Sequence, residues 1–235
     1  MPEKVWCLKN CDIFASLQPD QLLQLENRSR MRVFSAGSPV YLPSSNTENV
    51  FLLARGLVKV CNLTPEGRSS IIAFIEPGEM FGEMALFNGE SRDEFVEAIE
   101  LSTVVMIPTA EVQRLMSEKA SVAIALTKMV GLRRYRIERR LKNLLFLSSR
   151  DRLIHLLLDL AEQFGSCGDD GIRLRIKLAH QEIANLMGST RETVTIILGQ
   201  LKAEGFIDVG RRKIVLINAK RLSQSVQRAM PSEST

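Results

Sequence analysis

Apolar residues in the first half of the chain come in short runs at 32–34, 50–53, 57–60, 70–75 and 104–107. Turn signals separate them: Ala36-Gly37-Ser38-Pro39, Arg55-Gly56, Thr64-Pro65-Glu66-Gly67, Glu76-Pro77-Gly78 and Asn88-Gly89. Short runs punctuated by Gly and Pro predict a sandwich or barrel, a compact β-barrel or roll, rather than parallel βαβ units. From about Thr109 the apolar period lengthens from two to nearly four, which predicts a helix over 109–116 opened by Pro108 and Thr109. Residues 120–147 then contain no proline and a single glycine, Gly131. Val130, Ile137, Leu141 and Leu144 make a narrow apolar seam there, among Arg133, Arg134, Arg136, Arg139, Arg140 and Lys142. A long helix with such a seam fits a dimerising coiled coil, and a core-packed helix with a solvated basic face is the alternative. A further amphipathic helix is predicted at 151–164, stopped by Gly165, then a loop at 166–171 and a strand at 172–178.

The segment from His180 has the spacing of a helix-turn-helix. Counting His180 as the first position, small Ala184 falls fifth, where crossing helices approach closely. Gly188 falls ninth, where the turn favours a left-handed backbone. Val194 and Ile197 fall on the inner face of the second helix, and Ile183 and Leu186 complete a small core. The second helix opens with Ser189, Thr190, Arg191 and Glu192; Ser189 or Thr190 can cap it and reach phosphate oxygens. Arg191 can pair with guanine O6 and N7 and Glu192 can accept from cytosine N4, while Thr195 can touch a thymine methyl or a phosphate. Gly205 ends the helix. Strands at 206–209 and 213–217 around Gly210-Arg211-Arg212 predict a wing whose basic tip, with Lys213, meets the phosphate backbone. The predicted partner is duplex DNA.

Composition narrows the class. The chain has 235 residues, 45% hydrophobic and 25% charged, enough for a buried core and too apolar for long disorder. Its formal charge of +4 conceals an asymmetry: residues 1–118 hold 10 Lys and Arg against 16 Asp and Glu, a balance of −6, and residues 119–235 hold 21 against 11, a balance of +10. An acidic half joined to a basic half is the footprint of a regulatory module attached to a nucleic-acid binder. No apolar run is long enough to span a membrane and the N-terminus does not read as a secretion signal, so a cytoplasmic location is expected. Four cysteines, Cys7, Cys11, Cys61 and Cys167, do not suggest a disulfide scaffold. Cys7 and Cys11 could share a helix face and bind a metal or form a redox pair, or be two ordinary thiols. No nucleophile elbow, P-loop, zinc motif or dinucleotide fingerprint points to an enzyme, and no metal site is expected.

The chain resembles the CRP/FNR family of bacterial transcription regulators over residues 12–222. The residues that carry the resemblance are Phe81-Gly82-Glu83-Met84-Ala85-Leu86-Phe87 and Arg92 in the β domain, and Ser189-Thr190-Arg191-Glu192-Thr193-Val194 in the second helix. The resemblance implies an α+β fold: an effector-sensing β-roll (1–118), a jelly-roll-like double-stranded β-helix, then a dimerisation helix (119–149) that pairs two copies through 120–147, and a winged helix-turn-helix (150–235). It also implies palindromic promoter sites and RNA polymerase as a partner. In cyclic-AMP-binding members the residues matching Gly82 and Glu83 hold ribose and backbone, and the arginine matching Arg92 neutralises the phosphate. Here Asp93 and Glu94 follow Arg92, with Glu97 nearby, where the family pattern has a hydroxyl. Carboxylates beside a phosphate site raise its Coulomb energy, and Ile137 and Glu138 stand where Thr-Ser would meet adenine, so the expected effector is not cyclic AMP. An anionic metabolite bound by Arg92 with Arg134 or Arg136 is one alternative, and Arg92 tied up by Asp93 or Glu94 in an internal salt bridge is another.

Other sensory chemistries fit less well. A haem ligand would have to come from His155 or His180, both in the C-terminal half, or from Cys61, which reads as a small core residue. An iron–sulfur sensor would need more N-terminal cysteines than Cys7 and Cys11, and Val105 occupies the position resembling the fourth ligand. Ile196 replaces the second recognition-helix arginine of the cyclic-AMP receptor pattern, so the half-site should differ where Ile196 sits. A constitutive architectural DNA binder whose roll senses nothing is the competing reading.

Overall fold

The structure is a computed structural model that describes residues 2–43, 45–63, 69–87, 92–210 and 213–228. The chain divides into two compact units, 1–135 and 136–235. In the first, helices α1 (Pro2–Lys9) and α2 (Pro19–Arg28) precede eight strands: β1 (Arg30–Phe34), β2 (Pro39–Tyr41), β3 (Asn49–Arg55), β4 (Val58–Leu63), β5 (Ser69–Ile75), β6 (Met80–Phe81), β7 (Glu94–Ala98) and β8 (Ser102–Pro108). A 3-10 turn, Glu83–Leu86, follows β6, and α3 (Thr109–Glu118) and the start of α4 (Ala120–Phe146) complete the unit. The strands form two antiparallel sheets, ordered β1-β8-β3-β6 and β2-β7-β4-β5.

The hydrophobic pattern explains why these sheets sit as they do. One core, with Phe51, Leu53, Val58, Val60, Phe81 and Val96 among its members, draws on both sheets and lies between them. A second core joins Val50, Leu52 and Val105 on the opposite side of the first sheet to Leu8, Leu25 and Leu115 of the helices. Strand β3 is buried on both faces, so its apolar run is continuous instead of alternating. The turns at 64–67 and 88–89 lie outside the described residues. Strands β2, β6 and β7 and helices α1 and α2 were not evident in the sequence pattern. Strand β7, between β2 and β4, carries Glu94 and Glu97 on opposite faces, and its pairing with β4 sets Glu97 opposite Lys59, 2.9 Å away. That ion pair corrects the expectation that Glu97 weighs on a phosphate site.

Cys7 and Cys11 do not share a helix face, because α1 ends at Lys9. Both are buried in the helix-side core, and none of the four cysteines is in a disulfide. Among the described residues no group of three or more His, Cys, Asp or Glu could hold a metal ion. Burial pushes the Cys11 thiol up to about 11, against the smaller opposing pull of the Ile13 and Phe14 backbone. A thiol held above its ordinary value is protonated at neutral pH and a poor nucleophile. Brief iodoacetamide treatment of native protein at pH 8 should therefore label exposed Cys167 and spare Cys11; peptide mass spectrometry showing Cys11 modified first would contradict the burial of Cys11 in the helix-side core.

The second unit contains α5 (Ser149–Phe164), β9 (Gly165–Gly168), β10 (Gly171–Leu174), α6 (His180–Met187), α7 (Arg191–Ala203), β11 (Ile207–Gly210), β12 (Lys213–Leu216) and α8 (Ala219–Ser225). Ser148 caps α5 by accepting from the Asp151 N–H at 3.1 Å. Residues 166–171, expected as a loop, instead form most of a hairpin, with Cys167 opposite Ile172. The predicted strand at 172–178 stops at Leu174. Strands β11, β12, β10 and β9 make one four-stranded antiparallel sheet. No helix among the described residues is long and apolar enough to cross a membrane.

Candidate DNA-reading helix and effector pocket

Local chemistry builds the reading helix. Glu182 opens α6 by accepting from the Ala179 N–H at 2.8 Å. Gly188 ends it with φ 61°, ψ 49°, a left-handed conformation that glycine adopts without a Cβ penalty. The Ser189 N–H is drawn back to the Ala184 carbonyl at 3.0 Å, so Ser189 belongs to the turn. Thr190 is the cap, accepting from the Thr193 N–H at 3.2 Å. Val194, Ile197, Leu198 and Leu201 are buried, which leaves Arg191, Glu192, Thr195 and Ile196 exposed on the outer face. The Thr195 hydroxyl is engaged inside the protein: it donates to the Arg191 carbonyl at 2.9 Å and lies 2.8 Å from His180 Nδ1.

The wing follows directly. Gly210 at the end of β11 pairs with Lys213 at the start of β12. Arg211 and Arg212 lie outside the described residues, and Lys213 is exposed. Lys202, near the end of α7, bonds to Asp208 at 2.9 Å and to the Val209 carbonyl at 3.0 Å. Its ammonium holds the Asp208 carboxyl below the usual carboxylate range and ties the wing to the reading helix. Arg150 meets Glu204 at 2.6 Å, fixing the far end of α7 to α5.

The first unit gathers Gly82, Glu83 and Arg92. Gly82 has φ 69°, and a Cβ there would lie 2.5 Å from Arg92 Nη1 and 3.0 Å from Phe51 Cδ2, so the position requires glycine. Arg92 is 6% exposed. Its Nε, Nη1 and Nη2 donate to the carbonyls of Asn46 (3.4 Å), Gly82 (3.2 Å) and Asn49 (2.5 Å). The guanidinium stacks 4.3 Å from the Tyr41 ring and 5.2 Å from that of Phe51. Tyr41, Phe51 and Phe81 form a stacked group with centroids 5.2, 5.3 and 6.3 Å apart.

This arrangement does not contain the internal salt bridge to Glu94 that the sequence left open as one alternative for Arg92. Glu94 accepts from the Tyr41 hydroxyl at 2.6 Å, and burial together with that carboxylate pushes the Tyr41 phenol far above its ordinary value. Among the described residues no carboxylate pairs with Arg92. Glu83, 7% exposed, is instead held by Arg133: Nη1 reaches its Oε2 at 2.8 Å and Nη2 reaches the Met80 carbonyl at 2.8 Å. Arg134, the residue expected to face the roll, is exposed, as are Ile137 and Glu138 in the second unit.

Comparison with known proteins accords with both halves of this picture. Residues 31–119 match the cyclic nucleotide-binding domain model, and residues 151–225 match the Crp-like helix-turn-helix domain model. The global nitrogen regulator of Synechococcus elongatus is 31% identical over 193 residues, 81% of this chain and 87% of that protein. The chain belongs to the CRP/FNR family of transcriptional regulators. A CRP-like cAMP-activated global transcriptional regulator of Mycobacterium tuberculosis is 24% identical over 217 residues, covering 92% of this chain and 97% of that one. A solved CRP/FNR-family regulator from Thermus thermophilus superposes with TM-score 0.69 at 28% identity, over 84% of this chain and 98% of that one.

For a CRP/FNR regulator the sequence reading missed Arg133 and the aromatic group around Arg92. Arg133 had a signal: it lies seven residues after Leu126 and three after Val130, on the stripe that packs inward, whereas Arg134 is rotated off it. The aromatic group had none, because Tyr41, Phe51 and Phe81 meet only through strand pairing.

Proposed function

We propose that this CRP/FNR regulator works as a homodimer on palindromic promoter DNA, with residues 1–118 sensing an effector, 119–149 pairing the copies and 150–235 reading sequence. Support for DNA reading is the Thr190-capped α7, which buries one face and turns Arg191, Glu192 and Ile196 outward, with exposed Lys213 on the wing that follows it; Arg211 and Arg212 add two cations to that segment of the sequence. Exposed Ile137, Leu141 and Leu144 on α4 favour pairing, since a second copy removes that apolar surface from water. RNA polymerase is the downstream partner.

The effector is a small anionic metabolite other than cyclic AMP. The observation that carries this is the buried Arg92, held by carbonyls and rings, with which no carboxylate among the described residues forms an ion pair. A buried guanidinium without a counter-charge is costly, and an entering anion supplies one. Three of its N–H donors are spent on carbonyls, which leaves two of the five for a ligand. Asp93 occupies the place of the hydroxyl that a cyclic phosphate would use.

The test is selection of bound duplexes from a random library, with no ligand and with cyclic AMP, cyclic GMP or 2-oxoglutarate. A palindromic motif is expected, unaffected by the cyclic nucleotides and strengthened by the dicarboxylate. No enriched motif would overturn the DNA-reading assignment, and a motif that cyclic AMP alone strengthens would overturn the effector assignment. In the same assay Ile196→Arg is expected to shift preference towards guanine at one pair of each half-site by about 1–3 kcal/mol; an unchanged motif would place Ile196 away from the bases.

A further inference from the structure

The outer face of α7 changes character along its length. Its first turn carries the charges of Arg191 and Glu192; one turn later, four residues on from each, stand Thr195 and Ile196. Ile196 is 60% exposed, although Val194, Ile197, Leu198 and Leu201 already fill the core side of the same helix. Folding therefore does not call for a large apolar residue there. Thr195 has its hydroxyl committed to the Arg191 carbonyl (2.9 Å) and to His180 (2.8 Å). A hydroxyl carries one hydrogen, so with that hydrogen on the carbonyl it is His180 Nδ1–H that donates to the Thr195 oxygen. What remains of Thr195 for a partner is its methyl group.

The major groove displays one apolar group, the 5-methyl of thymine. We infer that Thr195 and Ile196 form an apolar reading surface for thymine methyl groups, next to the base pairs taken by Arg191 and Glu192, and that His180 is a positioning residue holding the Thr195 hydroxyl inward. The inference rests on the DNA-reading function assigned to α7 above. It assigns at least one A·T pair per half-site to apolar contact. Burying one methyl group corresponds to roughly a fourfold change in affinity.

The experiment uses the full chain and the motif selected from random duplexes, with each thymine replaced singly by deoxyuridine. That replacement keeps every hydrogen-bonding group of the base and removes only the methyl. Binding should weaken roughly fourfold at a thymine beside the Arg191 and Glu192 pairs. Ile196→Ala should narrow the difference between thymine and uracil duplexes, Thr195 keeping the remainder, with unchanged thermal unfolding because the side chain is exposed. His180→Ala should lower the thymine preference, and His180→Asn, whose amide N–H stands in for Nδ1–H, should restore it. Neutral uracil substitution at every thymine while the motif is still selected would overturn the inference and leave the regulator reading intact. So would Ile196→Ala retaining the full thymine preference. Failure to select any motif would overturn the underlying reading together with it.

Discussion

Phe81→Ala should destabilise the β-roll by about 3–5 kcal/mol, the largest single-residue effect expected in this chain. Phe81 is fully buried in a two-residue strand, with Phe51 opposite it in register. Its ring stands 5.3 Å from Phe51 and 6.3 Å from Tyr41, at the meeting of the two sheets. Truncation removes the transfer free energy of the ring, leaves a cavity between sheets that strand pairing holds in place, and loses two aromatic contacts. Phe81→Leu should lose appreciably less, because most of the volume stays filled. Urea unfolding monitored by circular dichroism measures both. A cost below about 1 kcal/mol for the alanine variant would mean that the three rings do not pack as described.

Arg133→Met is the second. It removes the cation that holds Glu83 and the donor to the Met80 carbonyl, leaving a buried carboxylate without a counter-charge. Breaking one side of a buried pair costs about 3 kcal/mol here, since Arg133 keeps some solvent contact. The double variant Arg133→Met/Glu83→Gln should recover most of that loss, because a neutral amide no longer needs the cation. Arg134→Met, one residue along on an exposed position, should change stability by less than about 0.5 kcal/mol. Equal effects of the Arg133 and Arg134 changes on the unfolding midpoint would contradict the geometry at Glu83.

Helices were more legible than strands because their signals are local. Thr190, Gly188 and Ala184 act within a few residues of themselves, through a cap, a left-handed turn and a close approach, so their roles could be assigned from spacing. The boundaries of α3, α4 and α5 followed from apolar period and breakers for the same reason. Strand β7 was missed because its sequence, Glu94 to Ala98, mixes charges with apolar residues, and only pairing across to β2 and β4 shows where Tyr41 and Lys59 meet those charges. Helices α1 and α2 bury their apolar residues against the back of the first sheet, a surface that the sequence does not display. The hairpin of β9 and β10 read as a loop since Gly and Asp are turn formers, and strand partners, not composition, made it a sheet edge.

The sequence by itself determined that the chain carries a β-roll, a long basic helix and a winged helix-turn-helix in that order, and which residues lead the reading helix. These follow from periodicity, capping and turn chemistry, all set by residues near one another along the chain. Tertiary structure alone decided the electrostatics of the effector pocket. Sequence proximity suggested that Arg92 would pair with Asp93 or Glu94; instead strand directions turn Glu94 to the Tyr41 hydroxyl and Glu97 to Lys59, and fold the guanidinium over two rings and three carbonyls. Arg92 precedes β7, and the pairing of β7 with β2 and β4 decides which groups Glu94 and Glu97 meet, so proximity in sequence does not set the partner of either charge.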